Sequence, residues 1–329
     1  VRRTPHGLRL AAGGLAAIGL GFGLRGHVAS TSSAFSGSAS SSGNVFAAAP
    51  DFEAPTADST FVAKAAGGAG GAIKPGATYY VYASVTDGGN PASGTSIVTS
   101  DVSAITAGAT AVPLAAGSYT VNGASYGYRS AALAAGALAD GGYAYTLSLT
   151  DAAANARIQS GFSAAIDATA PAASDVQPLN KAGGTVGRAE TGDTIVYTFS
   201  EPMDPGTILA GWTGSLQNVV VRLNNVGGGD EIVIYDATNT TQLSLGILDL
   251  GSRRYVRRSR TFGATGTSST MVMSGNTVTV TLGTPSGTTL TETAARTASW
   301  TPLPAATDVA GNAMSITAGG ETGTADPNL

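Results

Sequence analysis

The chain of 329 residues contains no cysteine. That excludes disulfides, thiolate nucleophiles, redox pairs and cysteine-ligated zinc. An exported fold does not need disulfides at this size, because sandwiches of roughly 100 residues bury enough core without them. Histidine is nearly as scarce: the only two, His6 and His27, fall in the first 29 residues. A mature chain lacking both residue types is without the commonest general base and the two commonest zinc ligands. Charged residues make up 12% of the chain, against a usual share of ~25%. Low charge of this kind differs from disorder, which pairs low hydrophobicity with high net charge. Here 43% of residues are apolar and the net charge is −4. After residue 24 there is no apolar run of the ~20 residues that a membrane helix needs. No Gly-x-Ser-x-Gly, His-Glu-x-x-His or phosphate-loop motif occurs. A non-catalytic protein is expected.

What is present is 46 glycines and many short Val/Ile/Leu/Tyr runs punctuated by Gly, Asn and Pro. This pattern predicts an all-β fold. At the start, Arg2, Arg3 and Arg9 precede an uncharged apolar run from Leu10 to Leu24. A positive start followed by a short apolar centre describes an export signal over residues 1–29, or an uncleaved N-terminal anchor helix. The competing assignment, a buried helix, is disfavoured by five glycines within that run. Ala34-Phe-Ser-Gly-Ser followed by Gly43-Asn-Val-Phe46 resembles the mature start of camelysin-type and biofilm-fibre proteins, which implies export by a dedicated signal peptidase. Residues 30–55 are rich in Ser, Ala and Gly and predict a flexible arm. Without Arg2, Arg3, Arg9 and Arg25, 13 of the 17 basic residues face 21 acidic ones. The resulting charge near −8 opposes binding to nucleic acid, and membrane contact is expected only through the leader.

Two segments end alike. Asp140-Gly-Gly-Tyr143 leads through an alternating stretch into Asp151-Ala-Ala-Ala-Asn155, and Asp308-Val-Ala-Gly-Asn312 closes a later one. Between them, Asp167-Ala-Thr-Ala-Pro171 reads as a joint. These ends resemble the closing hairpins of bacterial immunoglobulin-like domains. Thr198-Phe-Ser-Glu-Pro-Met-Asp-Pro205 is similar to the second-strand motif of the S-layer type of that family. The resemblance implies two tandem immunoglobulin-like β-sandwiches, at 56–169 and 170–318, with a disordered tail at 319–329. Ala154 stands where the family has Gly, which would place the positive-φ turn residue elsewhere. Tyr143 or Tyr145 is a candidate corner tyrosine tied to a loop, against ordinary packing. Strands are predicted at 79–86, 97–105, 143–149, 194–200, 219–223, 232–235, 243–248 and 278–282, those at 79–86, 143–149, 194–200 and 278–282 from a period of two. Leu133–Leu138 reads as a short helical turn or a crossover. An extra hairpin or elaborated edge is expected around Gly227-Gly-Gly-Asp230.

Two groups are candidate sites. Arg253, Arg254, Arg257, Arg258 and Arg260, around Tyr255, form the densest charge cluster and suit an anionic polymer. Two structural alternatives compete: a charged strand guarding a sheet edge, or pairing with Asp230, Glu231, Asp236 and Asp249. Asp167, Glu201, Asp204, Asp308 and Asn312 offer hard oxygen ligands for calcium if the turns converge. The competing assignment is that these side chains accept local backbone amides. Glu201 and Asp204 as a glycosidase pair would have to face each other across a cleft, which proximity in sequence does not establish. The expected function is an exported bacterial cell-surface or extracellular-matrix protein for structure or adhesion. It would contact surface or matrix polymer and associate with copies of itself. The alternative is a cell-wall-polymer or carbohydrate-binding module. No cofactor other than calcium is expected.

Overall fold

The computed structural model describes residues 51–65 and 71–329, preceded by a ribbon of β1 (Ala39–Ser41) and β2 (Asn44–Phe46). The expected leader, 1–29, lies outside the described residues, as does most of the arm. The described chain is all-β, with two large sheets and one four-residue helix.

The first sheet uses β3 (Thr56–Lys64), β4 (Ala72–Ile73), β5 (Thr78–Thr86), β6 (Thr95–Asp101), β7 (Val112–Val121), β8 (Ala124–Ser130), β9 (Leu133–Ala134), β10 (Gly141–Asp151) and β11 (Ala156–Ile166). Its order is β3-β5-β8-β7-β6-β10-β11-β4, with β9 paired to β5. Alternation decides which face is inside. Tyr79, Val81 and Ala83 of β5 are buried, as are Tyr145, Leu147 and Leu149 of β10. A one-residue slip would turn either set to solvent. β7 and β8 join through Asn122-Gly123, both with left-handed φ (50° and 76°), which matches the type I′ turn that favours tight hairpins. Of the two alternatives for Leu133–Leu138, the helical turn is not formed: the segment holds the two-residue strand β9 and then leads to β10. Tyr143 donates its hydroxyl to the carbonyl of Ala139, four residues upstream, at 3.1 Å, whereas Tyr145 meets the hydroxyl of Thr60. The first is the corner-tyrosine geometry.

The second sheet holds β12 (Ala173–Leu179), β13 (Thr194–Phe199), β14 (Gln217–Asn224), β15 (Glu231–Asp236), β16 (Gln242–Asp249), β17 (Arg260–Phe262), β18 (Ser269–Ser274), β19 (Thr277–Thr281), β20 (Ser299–Thr301) and β21 (Gly319–Gly320). Their order is β12-β13-β19-β18-β14-β15-β16-β20-β21, with β17 paired to β14. The helix α1 (Pro205–Ile208) starts at Asp204, whose carboxylate accepts the Gly206 amide. The sheet curls until its ends meet. A Cβ on Gly319 would lie 2.6 Å from that of Ala173, and Thr322 donates its amide to Asp175 at 2.8 Å. The extra hairpin expected near Gly227–Asp230 is β14–β15. The tail expected to be disordered is packed instead: Leu329 is 2% exposed, and Tyr255 donates its hydroxyl to the carbonyl of Pro327. Polar composition masked a segment that is held by backbone acceptors.

By contact density the described residues form two compact units. One holds Val85–Thr99 and Leu147–Gln159 with the described chain up to Asp58. The other holds Ser59–Ser84, Ser100–Thr146 and Ser160–Leu329. No described helix is long and apolar enough to cross a membrane.

Candidate functional site

Asp308 forms an isolated antiparallel bridge with Met203 and is 0% exposed. One oxygen accepts the amides of Gly311 and Asn312, at 2.5 and 2.8 Å. The other accepts the side-chain amide of Asn312 at 2.8 Å. The same Asn312 amide also donates to the backbone carbonyl of Asp167 at 2.9 Å. One asparagine thus clasps the closing turn to the segment that leads into β12. Asp167 in turn accepts the Thr169 amide at 3.0 Å.

Glu201, just past β13, completes a carboxylate group with Asp167 and Asp308. Candidate ligand oxygens of the three lie within 4.8 Å of one another. Burial, then the negative charges of Asp167 and Asp308, push the Glu201 carboxyl up to about 7. Its Oε1 is buried with no hydrogen-bond partner among the described residues. Three converging carboxylates offer oxygen atoms of the kind that a hard divalent cation takes. Of the five expected ligands the structure therefore gathers Asp167, Glu201 and Asp308. Asn312 contributes by orienting Asp308. Asp204 is not among them. It pairs with Lys64 at 3.3 Å and caps α1, which removes it from the metal group and from any carboxylate pair with Glu201. Lys64 and Asp204 line a cavity of about 630 Å³ with Lys74, Thr78, Thr207 and Thr307. Lys74 there donates to the carbonyl of Gly311 at 2.8 Å.

The arrangement occurs twice. In the other unit, Asp151 is 2% exposed and accepts the amide and side-chain amide of Asn155, both at 2.7 Å. The Asn155 side-chain amide also donates to the carbonyl of Asp51 at 3.3 Å. Asp51 accepts the Glu53 amide at 3.0 Å, as Asp167 accepts that of Thr169. Asp87 stands where Glu201 stands, and its Oδ1 is likewise buried without a partner. Asp51, Asp87 and Asp151 form the second group of converging carboxylates. The Asp51 carboxyl rests on Gly89, where a Cβ would come within 2.1 Å of it and force it to shift. Sequence reasoning missed Asp51 and Asp87. The available signal was Asp51-Phe-Glu-Ala-Pro55, which repeats the Asp-x-x-Ala-Pro of Asp167–Pro171.

The two turns differ at the left-handed position. Gly311 has φ +99°, and Ala154 holds the matching position at φ +69°. The left-handed residue is therefore not displaced by alanine, as expected from the sequence; alanine adopts it. Ala154→Gly should raise stability by about 1 kcal/mol, because Cβ crowding in this region costs roughly that much. Chemical denaturation measures the gain.

The arginine segment is neither a strand nor a set of ion pairs. Residues 251–259 are irregular, and only Arg260 enters β17. Arg253, Arg254, Arg257 and Arg258 are exposed. Arg253 donates to the carbonyl of Gly227 at 2.8 Å, and Arg260 to that of Thr288 at 3.2 Å. The expected pairing with Asp230, Glu231, Asp236 and Asp249 is absent among the described residues. Asp230 is fully buried and accepts the amides of Tyr255 and Val256, at 2.8 and 3.0 Å, so it pins the backbone and not the guanidinium groups. Tyr255 is corrected outright. It is 0% exposed and belongs to the core, which withdraws it from any contact face.

No family model matches the chain, and no curated protein matches it. Among solved structures, the crystal structure of dimeric latent PorU from Porphyromonas gingivalis is similar over 71% of this chain and 20% of that chain. The identity is 16% and the TM-score 0.19. The chain spans about a fifth of that protein's length, and the likeness carries no assignment of fold or function.

Proposed function

We propose that this chain is an exported, non-catalytic structural protein of the bacterial cell surface or extracellular matrix. It is built from tandem immunoglobulin-like β-sandwiches and stiffened by calcium. The observation that carries the reading is the duplicated clasp: two Asp–Asn turns with matching hydrogen bonds, each beside three converging carboxylates with one orphaned oxygen. Carboxylates locked by backbone amides serve rigidity, since each such bond fixes a loop that would otherwise fray. A cation would neutralise the charge that burial makes costly. In use, Ser/Thr-rich strand edges would make many weak contacts with polymer or with other copies of the chain. Light scattering over a range of concentrations should show self-association in calcium, whereas a strict monomer under all conditions would count against the matrix role.

A polymer-binding reading has one observation of its own, the four exposed arginines at 253, 254, 257 and 258. Replacing them together with serine should release the protein from cell-wall preparations. Unchanged retention removes that site.

A further inference from the structure

We propose that the face of the β7–β8 hairpin shared with β5 is a binding platform for a carboxylated polysaccharide, with Arg129 as the carboxylate-recognising residue. This goes beyond the structural role above and does not depend on calcium.

The platform is built from four tyrosines around one guanidinium. Tyr82 packs edge-on to Tyr80 and Tyr119, with centroids 6.1 and 6.3 Å away, and lies 5.7 Å from Tyr126. Tyr119 and Tyr126 are cross-strand partners, and so are Tyr82 and Arg129. The Arg129 guanidinium is held between the rings of Tyr80 and Tyr119, 4.6 and 4.5 Å from their centroids. Tyr80, Tyr119, Tyr126 and Arg129 remain partly open to solvent.

Two details separate this patch from an ordinary packed aromatic cluster. First, the cation is positioned but not neutralised. Cation–π contacts occupy the faces of the guanidinium. Among the described residues no carboxylate pairs with it and no acceptor meets its N–H groups. In an acidic chain, a pre-oriented planar fork with free donors is complementary to a carboxylate, which it can hold through two parallel bonds. Secondly, glycines make room. A Cβ on Gly117 would come within 2.7 Å of the Tyr119 hydroxyl and 2.8 Å of its ring, which folds back across the irregularity between Ala116 and Tyr119. Gly127, two residues before Arg129 on β8, has nothing within 4 Å of a Cβ position. The strand leaves open space at that residue.

Tyrosine presents an apolar ring with a polar rim. A ring of carbon-bound hydrogens edged by hydroxyls, which is a pyranose, matches that surface, and its carboxylate would meet the Arg129 fork. The ligand class is therefore a hexuronate-containing polymer.

The test is isothermal titration of the full chain with an oligogalacturonate and with the same oligomer methyl-esterified. The acid form should bind, and the ester, which keeps the ring faces and loses the charge, should bind at least about tenfold more weakly. Arg129→Lys keeps the charge but loses the fork and the stacking, and should weaken binding of the acid by about tenfold, a difference equal to ~1.4 kcal/mol. Replacing Arg253, Arg254, Arg257 and Arg258 with serine should leave it unchanged. No binding of the acid, equal binding of acid and ester, or equal binding of a sulfated dextran would overturn the proposal. The ester and dextran comparisons use the unaltered protein, so they decide the matter even if a variant folds poorly.

Discussion

Trp300→Ala should destabilise the protein by about 4 kcal/mol, near the upper end for a single core truncation. Trp300 is 0% exposed in the three-residue strand β20, which bridges β16 and β21. Tyr197 and Phe199 of β13 meet its ring edge-on, both at 5.0 Å between centroids. Those strands are far apart in sheet order, so one side chain joins the two faces of the core. Its indole N–H also donates to the carbonyl of Leu245 at 2.5 Å. Alanine would leave a cavity too large to collapse and a buried carbonyl without its donor. Trp300→Phe restores most of the volume but not the hydrogen bond, and should cost ~1–2 kcal/mol. Urea denaturation reads both losses as a lower midpoint at unchanged slope. A loss under ~1 kcal/mol for alanine would mean that the core repacks or that Trp300 is not central to it.

Asp308→Ala should cost about 3 kcal/mol. It strands the amides of Gly311 and Asn312 and the side-chain amide of Asn312, all of them half-buried, and each unsatisfied buried donor costs ~1–3 kcal/mol. Asp151→Ala should cost a similar amount, because Asn155 depends on it in the same way. Asp308→Asn is the informative control. It keeps an acceptor oxygen and removes one of the negative charges that, after burial, raise the Glu201 carboxyl, so its stability loss should be smaller than that of alanine at neutral pH. Equal losses for alanine and asparagine would show that the charge and not the hydrogen-bond geometry sustains the turn.

The strands could be read from sequence where alternation is strict. Tyr79–Val85 and Tyr143–Leu149 alternate without interruption, and Tyr79, Val81, Ala83, Tyr145, Leu147 and Leu149 of the inward sets are buried. The Tyr-rich hairpin was not legible, because Ala, Gly and Ser dominate β7 and the irregularity between Ala116 and Tyr119 breaks its period. The acidic group at Asp167, Glu201 and Asp308 could be anticipated from motif ends, since both the joint and the closing turn carry fixed Asp positions. Asp204 misled because its neighbourhood to Glu201 is sequential only; α1 turns it toward Lys64. Tyr255 misled in a different way. An aromatic between arginines reads as surface, but a buried Asp230 draws the backbone inward at that residue. Tertiary hydrogen bonds of this kind leave no local periodicity.

Calorimetric melting with and without millimolar calcium, at pH 8 and at pH 5, tests the central claim most directly. Glu201 holds its proton more tightly folded, at about 7, than its ordinary 4.5. Without the ion, its contribution to stability is therefore present at low pH, falls as pH climbs through that window, and levels off above it. Calcium must displace the proton, so the rise in melting temperature should be large at pH 8, small at pH 5 and lost in Glu201→Gln at both. No rise at pH 8, or the same rise in Glu201→Gln, would contradict the account.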